Sequence, residues 1–216
     1  MTQIIATVQS KGGTGKSTIL KIIAGFRARL KYKILVIDTD PQFSTARWAE
    51  KTDSDFIDYL ELLNEEQIIP IVENAKGKYD IILIDTAGYD SRMATYAINV
   101  ADTILIPTNG SEDDVRGAIA TTSHVNTLNI GKTNPAESIV ILWKTDKGTS
   151  ATQHARKQLE SVNVPALRGY VKDLTGFTNI TWNGGIPDGA AYQSAVSFIH
   201  QLEKANILKA KKEEAA

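Results

Sequence analysis

The residues best suited to chemistry stand together near the start of the chain, in Lys11-Gly12-Gly13-Thr14-Gly15-Lys16-Ser17-Thr18. Three glycines in four positions let the backbone curl until successive N–H groups point inward, a concavity that suits phosphate oxygens. A helix starting at Ser17 would add the partial positive charge of its N-terminus to the same spot. Lys16 would then reach the β- and γ-phosphates of a nucleotide, and the Ser17 hydroxyl would ligate Mg²⁺. The run departs from the strict pattern G-x-x-x-x-G-K-[ST], because Ser10 holds the first glycine position and Lys11 adds a second lysine. A glycine-rich turn with unrelated lysines is the plain alternative. Two acidic segments weigh against it, Asp38-Thr39-Asp40-Pro41-Gln42 and Asp85-Thr86-Ala87-Gly88. Each follows a short apolar run, and carboxylates at strand ends can converge on a metal beside a phosphate loop, partly through water. Aspartates in such places also serve as turn and cap residues; the neighbouring loop favours the metal.

These groups meet only if the rest of the chain brings them to one edge. Segments 4–8, 34–37, 81–84, 103–106 and 138–142 are short, β-branched and apolar throughout, as strands covered on both faces require. Segments near 17–30, 64–76, 90–100, 112–128 and 149–161 are long enough for helices. Strand and helix in alternation predict an α/β fold, a single doubly wound, mostly parallel sheet with helices on both faces. The carboxyl ends of its strands are the default ligand site. A length of 216 residues suits one domain, expected over residues 1–208, with a charged tail over 209–216 ending as a fraying helix.

The composition removes several classes. Without cysteine there is no disulfide, thiolate metal site, iron–sulfur cluster or cysteine nucleophile. Apolar runs of four or five residues are too short to span a bilayer. The start of the chain leads into a strand rather than a secretion signal, so a cytoplasmic location is expected. Formal net charge is −1, yet residues 52–75 carry seven acids and no Lys or Arg, while 144–172 carry six bases against two acids. Such asymmetry can mark an anion-binding face or simply a solvated one.

The loop 11–18, the segment Asp38-Thr39-Asp40-Pro41-Gln42 and the segment 79–88, in this order and spacing, resemble the ParA/MinD-type deviant Walker ATPases of the SIMIBI class of P-loop proteins. Among these the chain looks most like the small plasmid-partition members without an N-terminal DNA-binding extension. The resemblance implies slow ATP hydrolysis with Mg²⁺ as cofactor. It makes Lys11 the signature lysine that crosses a dimer interface to the partner's nucleotide, and Lys16 and Ser17 the loop lysine and metal ligand. Asp40 becomes the carboxylate that positions the attacking water, Asp38 the one beside the metal and Asp85 the Walker B aspartate. Catalysis would then rest on Lys11, Lys16 and Asp40, the metal on Ser17, Asp38 and Asp85, and nucleotide contacts on Lys11, Gly12, Gly13, Thr14, Gly15, Lys16, Ser17 and Thr18. Gly12 would lie at the close approach of two subunits, so that ATP glues a homodimer and hydrolysis releases it. Such a dimer would bind nonspecific DNA on the nucleoid and position a plasmid or other cargo. A ParB-like or centromere-binding adaptor would stimulate its hydrolysis.

Other features are read with plainer alternatives beside them. Trp143-Lys144-Thr145-Asp146 stands where SIMIBI proteins contact the base, and Lys144 and Asp146 are nucleotide-contact candidates; a surface loop with a salt-bridging pair is the alternative. Guanine-specific relatives have Asn where Trp143 stands, and the remaining motifs favour ATP. Lys147, Arg156, Lys157, Arg168 and Lys172 are the DNA-contact candidates, through phosphate neutralisation. Phe43 and Trp48 read as packing residues on a short amphipathic helix. His124, His154 and His200 have no ligand spacing, and residues 182–187 read as a turn near the nucleotide. A MinD-like ATPase at a membrane surface needs a bulky apolar face on its terminal helix, which Ala, Lys and Glu after residue 208 do not supply. A dethiobiotin-synthetase-like ligase lacks a counterpart for Lys11 and the Asp-Pro-Gln segment.

Overall fold

The apolar runs pair edge to edge because only a sheet covered on both faces lets every side chain of a strand leave water. The computed structural model describes residues 2–87, 92–146 and 148–210. Its strands are β1 (Gln3–Thr7), β2 (Ile34–Asp38), β3 (Ile57–Glu61), β4 (Ile81–Asp85), β5 (Thr103–Thr108), β6 (Glu137–Trp143) and β7 (Ala166–Val171). They form one seven-stranded sheet in the order β3-β2-β4-β1-β5-β6-β7, every pair parallel. β1, β2, β4 and β5 are buried at every position, as the unbroken apolar runs require.

The helices are α1 (Lys16–Arg29), α2 (Ser44–Thr52), α3 (Ile68–Ala75), α4 (Arg92–Val100), α5 (Glu112–Asn129), α6 (Ser150–Ser161), α7 (Gly176–Asn183) and α8 (Gly189–Lys204). α1, α2, α7 and α8 cover one face, where Ile5, Val36, Leu83, Leu105 and Trp143 join Ile19, Ile23, Trp48, Phe177 and Phe198 in one core. α3 to α6 cover the other, over Ile4, Ala6, Ile37, Ile82, Ile84 and Ile106. Alternate strand residues thus feed two cores, and the crossovers deliver every strand's carboxyl end to one edge of the sheet. At that edge Asp38 is the register partner of Asp85, and Asp85 of Thr7.

The two edge strands do not read as buried runs. β3 pairs only with β2 and is buried only at Ile57; the acidic stretch therefore folds in part as a strand. β7 carries Arg168 and Gly169, and an added Cβ on Gly169 would overlap the Gln201 side chain of α8, so the glycine marks where that helix lies on the strand.

Two expectations are corrected. The chain does not leave α8 as a fraying helix over residue 209. α8 stops at Lys204, Asn206 turns at φ +57, and Leu202 O accepts from Ile207 N at 2.8 Å and Leu208 N at 3.2 Å. The cause is burial: Ile207 and Leu208 are 4% and 2% exposed, and Gln3 bonds Ile207 O and Lys209 N. Residues 211–216 lie outside the described residues. The turn after Trp182 is also far from the phosphate loop. Gly185 N donates to Thr52 Oγ1 at 2.8 Å, Trp48 Nε1 donates to Gly185 O at 3.0 Å, and Ile186 packs on Gly25. Gly25 lies about 15 Å along α1 from Gly15. Phe43 takes φ +46 at the start of α2, and Trp48 is 1% exposed, so that segment is helical and Trp48 packs as expected.

Two tryptophans of opposite burial test this packing. Trp48→Ala is expected to cost about 3–5 kcal/mol in urea unfolding. Trp182→Ala, at a side chain 75% exposed, is expected to stay within about 0.5 kcal/mol of the native chain. Equal losses would contradict the burial described.

Candidate phosphate-binding site

The loop between β1 and α1 takes its shape from its glycines and from Gln9. Gly13 and Gly15 hold φ of +73 and +105, a region costly for any residue with a Cβ. Gly15 is the N-cap of α1, which has no side-chain cap and no acid in its first turn. Ser111 and Thr149, by contrast, cap α5 and α6. The first N–H groups of α1 therefore remain for an anion. Below them, Gln9 Nε2 donates to Pro107 O at 3.0 Å, while its Oε1 accepts from Ser10 N at 2.8 Å and Ser10 Oγ at 3.1 Å. The serine in the first glycine position thus has a partner of its own.

Lys16 is 7% exposed, and its Nζ donates to Gln9 O and Lys11 O, both at 3.2 Å. Burial lowers its pKa, and the nearby charges of Asp85 and Asp40 oppose that shift. Asp38 and Asp85 are both 0% exposed. Asp38 Oδ2 accepts from Thr45 N at 2.8 Å and Ala46 N at 3.0 Å, and its Oδ1 from Asp40 N at 3.1 Å. It therefore starts α2, and burial raises its pKa. Asp85 accepts from the hydroxyls of Thr45, Thr7 and Ser17. Burial first, and the Asp38 charge second, raise its pKa from the ordinary 3.8 to about 6. Asp40 is half-buried at the rim, its Oδ1 taken by Gln42 N at 2.8 Å.

Two buried carboxylates beside a serine hydroxyl fit a hard divalent cation. Mg²⁺ takes few protein ligands and keeps several waters, so Ser17 and Asp85, with Asp38 behind them, are a sufficient donor set. Among the described residues no larger group of His, Asp and Glu side chains converges. His154 and His200 are exposed on α6 and α8, and His124 is half-buried on α5.

The remaining candidates are spread around the mouth. Lys11 Nζ lies 3.1 Å from Asp114 Oδ1 and 3.7 Å from Asp113 Oδ2, in the first turn of α5. Gly12 and Gly13 are exposed, and Thr14 is buried with its hydroxyl on Lys11 O at 3.4 Å. Thr18 is half-buried on the first turn of α1. Lys144 lies 3.8 Å from Asp173, and Asp146 lies 3.3 Å from Lys172. The charges at the ends of β6 and β7 are therefore locally balanced. Arg156 donates to Arg168 O at 2.8 Å and to Gly169 O at 3.3 Å, a structural use of its guanidinium. Lys157 and Arg168 are exposed; Lys147 and Gly88 lie outside the described residues.

Three groups escaped the reading of the sequence. Thr45 bonds both buried carboxylates, and nothing in its type or spacing sets it apart. Lys21 is 2% exposed within charge reach of Asp85 and Asp38; its signal was a lone lysine inside the apolar run Ile19-Leu20-Lys21-Ile22-Ile23. Asp113 and Asp114 were legible only as acids in a helix's first turn.

Residues 5–186 match the CobQ/CobB/MinD/ParA nucleotide binding domain. A curated relative, the maintenance of carboxysome distribution protein A of Gloeobacter kilaueensis, is 26% identical over 193 residues, covering 84% of this chain and 86% of its own. The MinD protein of Pyrococcus horikoshii, solved with Mg-ADP, superposes with a TM-score of 0.75 at 19% identity, covering 98% of this chain and 100% of its own. The pNOB8 ParA bound to nonspecific DNA superposes with a TM-score of 0.63 at 15% identity, covering 94% and 99%. These two likenesses concern the fold, a parallel α/β sheet of the P-loop type.

The acid pair gives a test with a definite sign. A carboxyl whose folded pKa lies above its unfolded value binds a proton more tightly when folded. Its contribution to stability is full below about pH 4 and lost as pH rises through about 6. In divalent-free buffer, Asp85→Asn is therefore expected to match the native chain near pH 4 and to exceed it above pH 7. The margin stays below about 3 kcal/mol, because Lys21 loses a counter-charge. Urea unfolding across that range checks it; a native chain that outlasts the variant at pH 8 would refute the assignment.

Proposed function

This chain belongs to the CobQ/CobB/MinD/ParA nucleotide-binding family, and on that premise we propose that it is an ATP-driven switch, a dimer on DNA until hydrolysis releases it. A triphosphate takes the free N–H groups of residues 12–18 and draws Lys16 Nζ from the carbonyls of Gln9 and Lys11 onto phosphate oxygens. Ser17 and Asp85 would hold Mg²⁺, with Asp38 behind them, and the ion when bound would supply positive charge to offset that of the phosphates. Asp40 orients the attacking water, whose oxygen bonds the γ-phosphorus as the bond to the bridging oxygen of ADP breaks. Lys144 and Asp146 stand beside the base once their ion pairs open. Lys11 gives up Asp113 and Asp114 to cross to a partner's phosphates, where its charge opposes the charge that develops. The Lys11 side chain is 44% exposed and that of Asp113 75%, whereas that of Asp114 is 11%. The Asp113 pair therefore costs about 1 kcal/mol or less to break, and the Asp114 pair more.

The observation that carries the dimer is at Gly12. Its φ is not in the left-handed region, and a Cβ there would meet nothing within 4 Å. The folded chain by itself gives no steric reason for glycine; a triphosphate or a second chain pressed on the loop does, and Gly12→Val separates the two when it still binds MgATP. DNA contact is supported by the pNOB8 ParA bound to nonspecific DNA and by the exposed Lys157 and Arg168, with Lys147, Arg156 and Lys172 as further candidates. Two copies double the phosphate contacts and so make affinity nucleotide-dependent. The cargo is a plasmid or other large body, joined on the nucleoid through an adaptor that stimulates hydrolysis. The domain spans residues 1–208.

Two experiments test this. Gly12→Val is expected to fold within about 0.5 kcal/mol of the native chain yet to stay a monomer in sedimentation with MgATP, where the native chain dimerises. A variant that still dimerises would remove the argument from Gly12. On nonspecific duplex DNA, the native chain is expected to be retained with ATP and not with ADP, and Lys16→Ala with neither. Affinity should fall about tenfold or more between low and moderate salt. No retention in any state would overturn the DNA reading in favour of a membrane-surface or metabolic one.

A further inference from the structure

The residue after which the chain turns out of β6 is Trp143, 1% exposed, with Lys144 immediately following at φ +54. Its indole lies against the backbone of Gly15. A Cβ built on Gly15 would stand 2.3 Å from the indole Cδ1 and 2.4 Å from Nε1. The ring thus fills the space where any other residue in the phosphate loop's last glycine position would place its side chain. Two further rings back the indole: Phe177 of α7 at 5.4 Å, tilted, and Phe198 of α8 at 5.7 Å, edge-on. Both separations lie in the range of interacting aromatic pairs, and the edge-on one is a favoured geometry. All three rings belong to the core beneath α1, so the wall is as immobile as the fold.

We propose that Trp143 is a positioning residue for the nucleotide. It sets where Gly15 and the first turn of α1 stand, and through them the N–H groups and Lys16 that meet the phosphates. It also ties the loop to α7 and α8, so the packing of those helices enters the affinity for the triphosphate. The inference rests on the reading of this loop as the nucleotide site. Trp143 does not itself touch the phosphates in this arrangement. It acts by denying the loop any other position, and small displacements of such groups are costly.

The test is MgATP affinity by calorimetry, each variant measured well below its own melting temperature. Trp143→Ala is expected to weaken binding about tenfold or more. Trp143→Phe, which restores a ring, should recover most of that loss. Phe177→Ala, which removes the support without touching the loop, should fall between them. A purely structural role would lower the melting temperature of all three and leave the affinity of the folded protein alone. Folded Trp143→Ala that binds within about twofold of the native chain would overturn the proposal, whereas a native chain that binds no nucleotide would overturn the reading of the site instead. Should Trp143→Ala fail to fold, Phe177→Ala decides: a folded Phe177→Ala that binds MgATP within about twofold of the native chain refutes the inference.

Discussion

Much of this structure answers to one awkward fact: two carboxylates with no exposure to water sit side by side on neighbouring strands. Asp38 and Asp85 are register partners, and adjacent strands run about 4.8 Å apart. Charge in such a place is costly unless it is met by hydrogen bonds and opposite charge. The chain meets it from every side. The N–H groups of Asp40, Thr45 and Ala46 bond Asp38, which fixes both the turn over residues 39–43 and the start of α2. Hydroxyls of Thr45, Thr7 and Ser17 bond Asp85. Lys21 brings a buried ammonium from the second turn of α1, and Lys16 another from its first residue. The docking of α1 and α2 on the sheet is thus inseparable from neutralising those two acids, and what the folded chain leaves unneutralised is an invitation to a cation.

The sequence showed most clearly those parts whose physics is local. A glycine-rich loop with flanking lysines has a conformational cause that needs no knowledge of the rest, and strands buried on both faces read as unbroken apolar runs. β3 and β7 were missed because an edge strand is half in water and carries charge, so its pattern resembles a loop. α7 and α8 were not placed because their apolar residues meet a core that only the finished sheet defines. The same holds at the site. Asp38 and Asp85 were legible as acids after strands, but their shared partner Thr45 is defined by where α2 begins, and Lys11 meets Asp114 only once β5 and β1 lie side by side. The reading of residues 182–187 as near the nucleotide failed because a Gly-Gly pair says that the chain turns, and not against what.

The division of the core in two also assigns labour. The fully buried core under α3 to α6 is aliphatic apart from Met93, with Tyr79, Tyr96 and Tyr170 packed at its margin. The face under α1, α2, α7 and α8 carries Trp48, Trp143, Phe177 and Phe198, and the acid row continues the same side of β2 and β4. Stability and function are therefore most tightly joined on that side of the sheet: substitutions under α1 act on folding and the loop together. α5 meets the loop through Asp113 and Asp114 on Lys11 and through Gly117 beside Gln9 and Ser10.

The sheet order has an electrical consequence. β3 and β7 are opposite edges; the first lies in the stretch with seven acids, the second in the stretch with an excess of bases. Six inter-strand spacings put these edges about 29 Å apart. A chain of almost no net charge is thereby a permanent dipole across its width, well beyond one screening length at physiological salt, about 8 Å. Near a polyanion such a molecule is turned before it is much attracted, because its acidic β3 edge is repelled. Orientation, more than overall charge, then governs which encounters become productive.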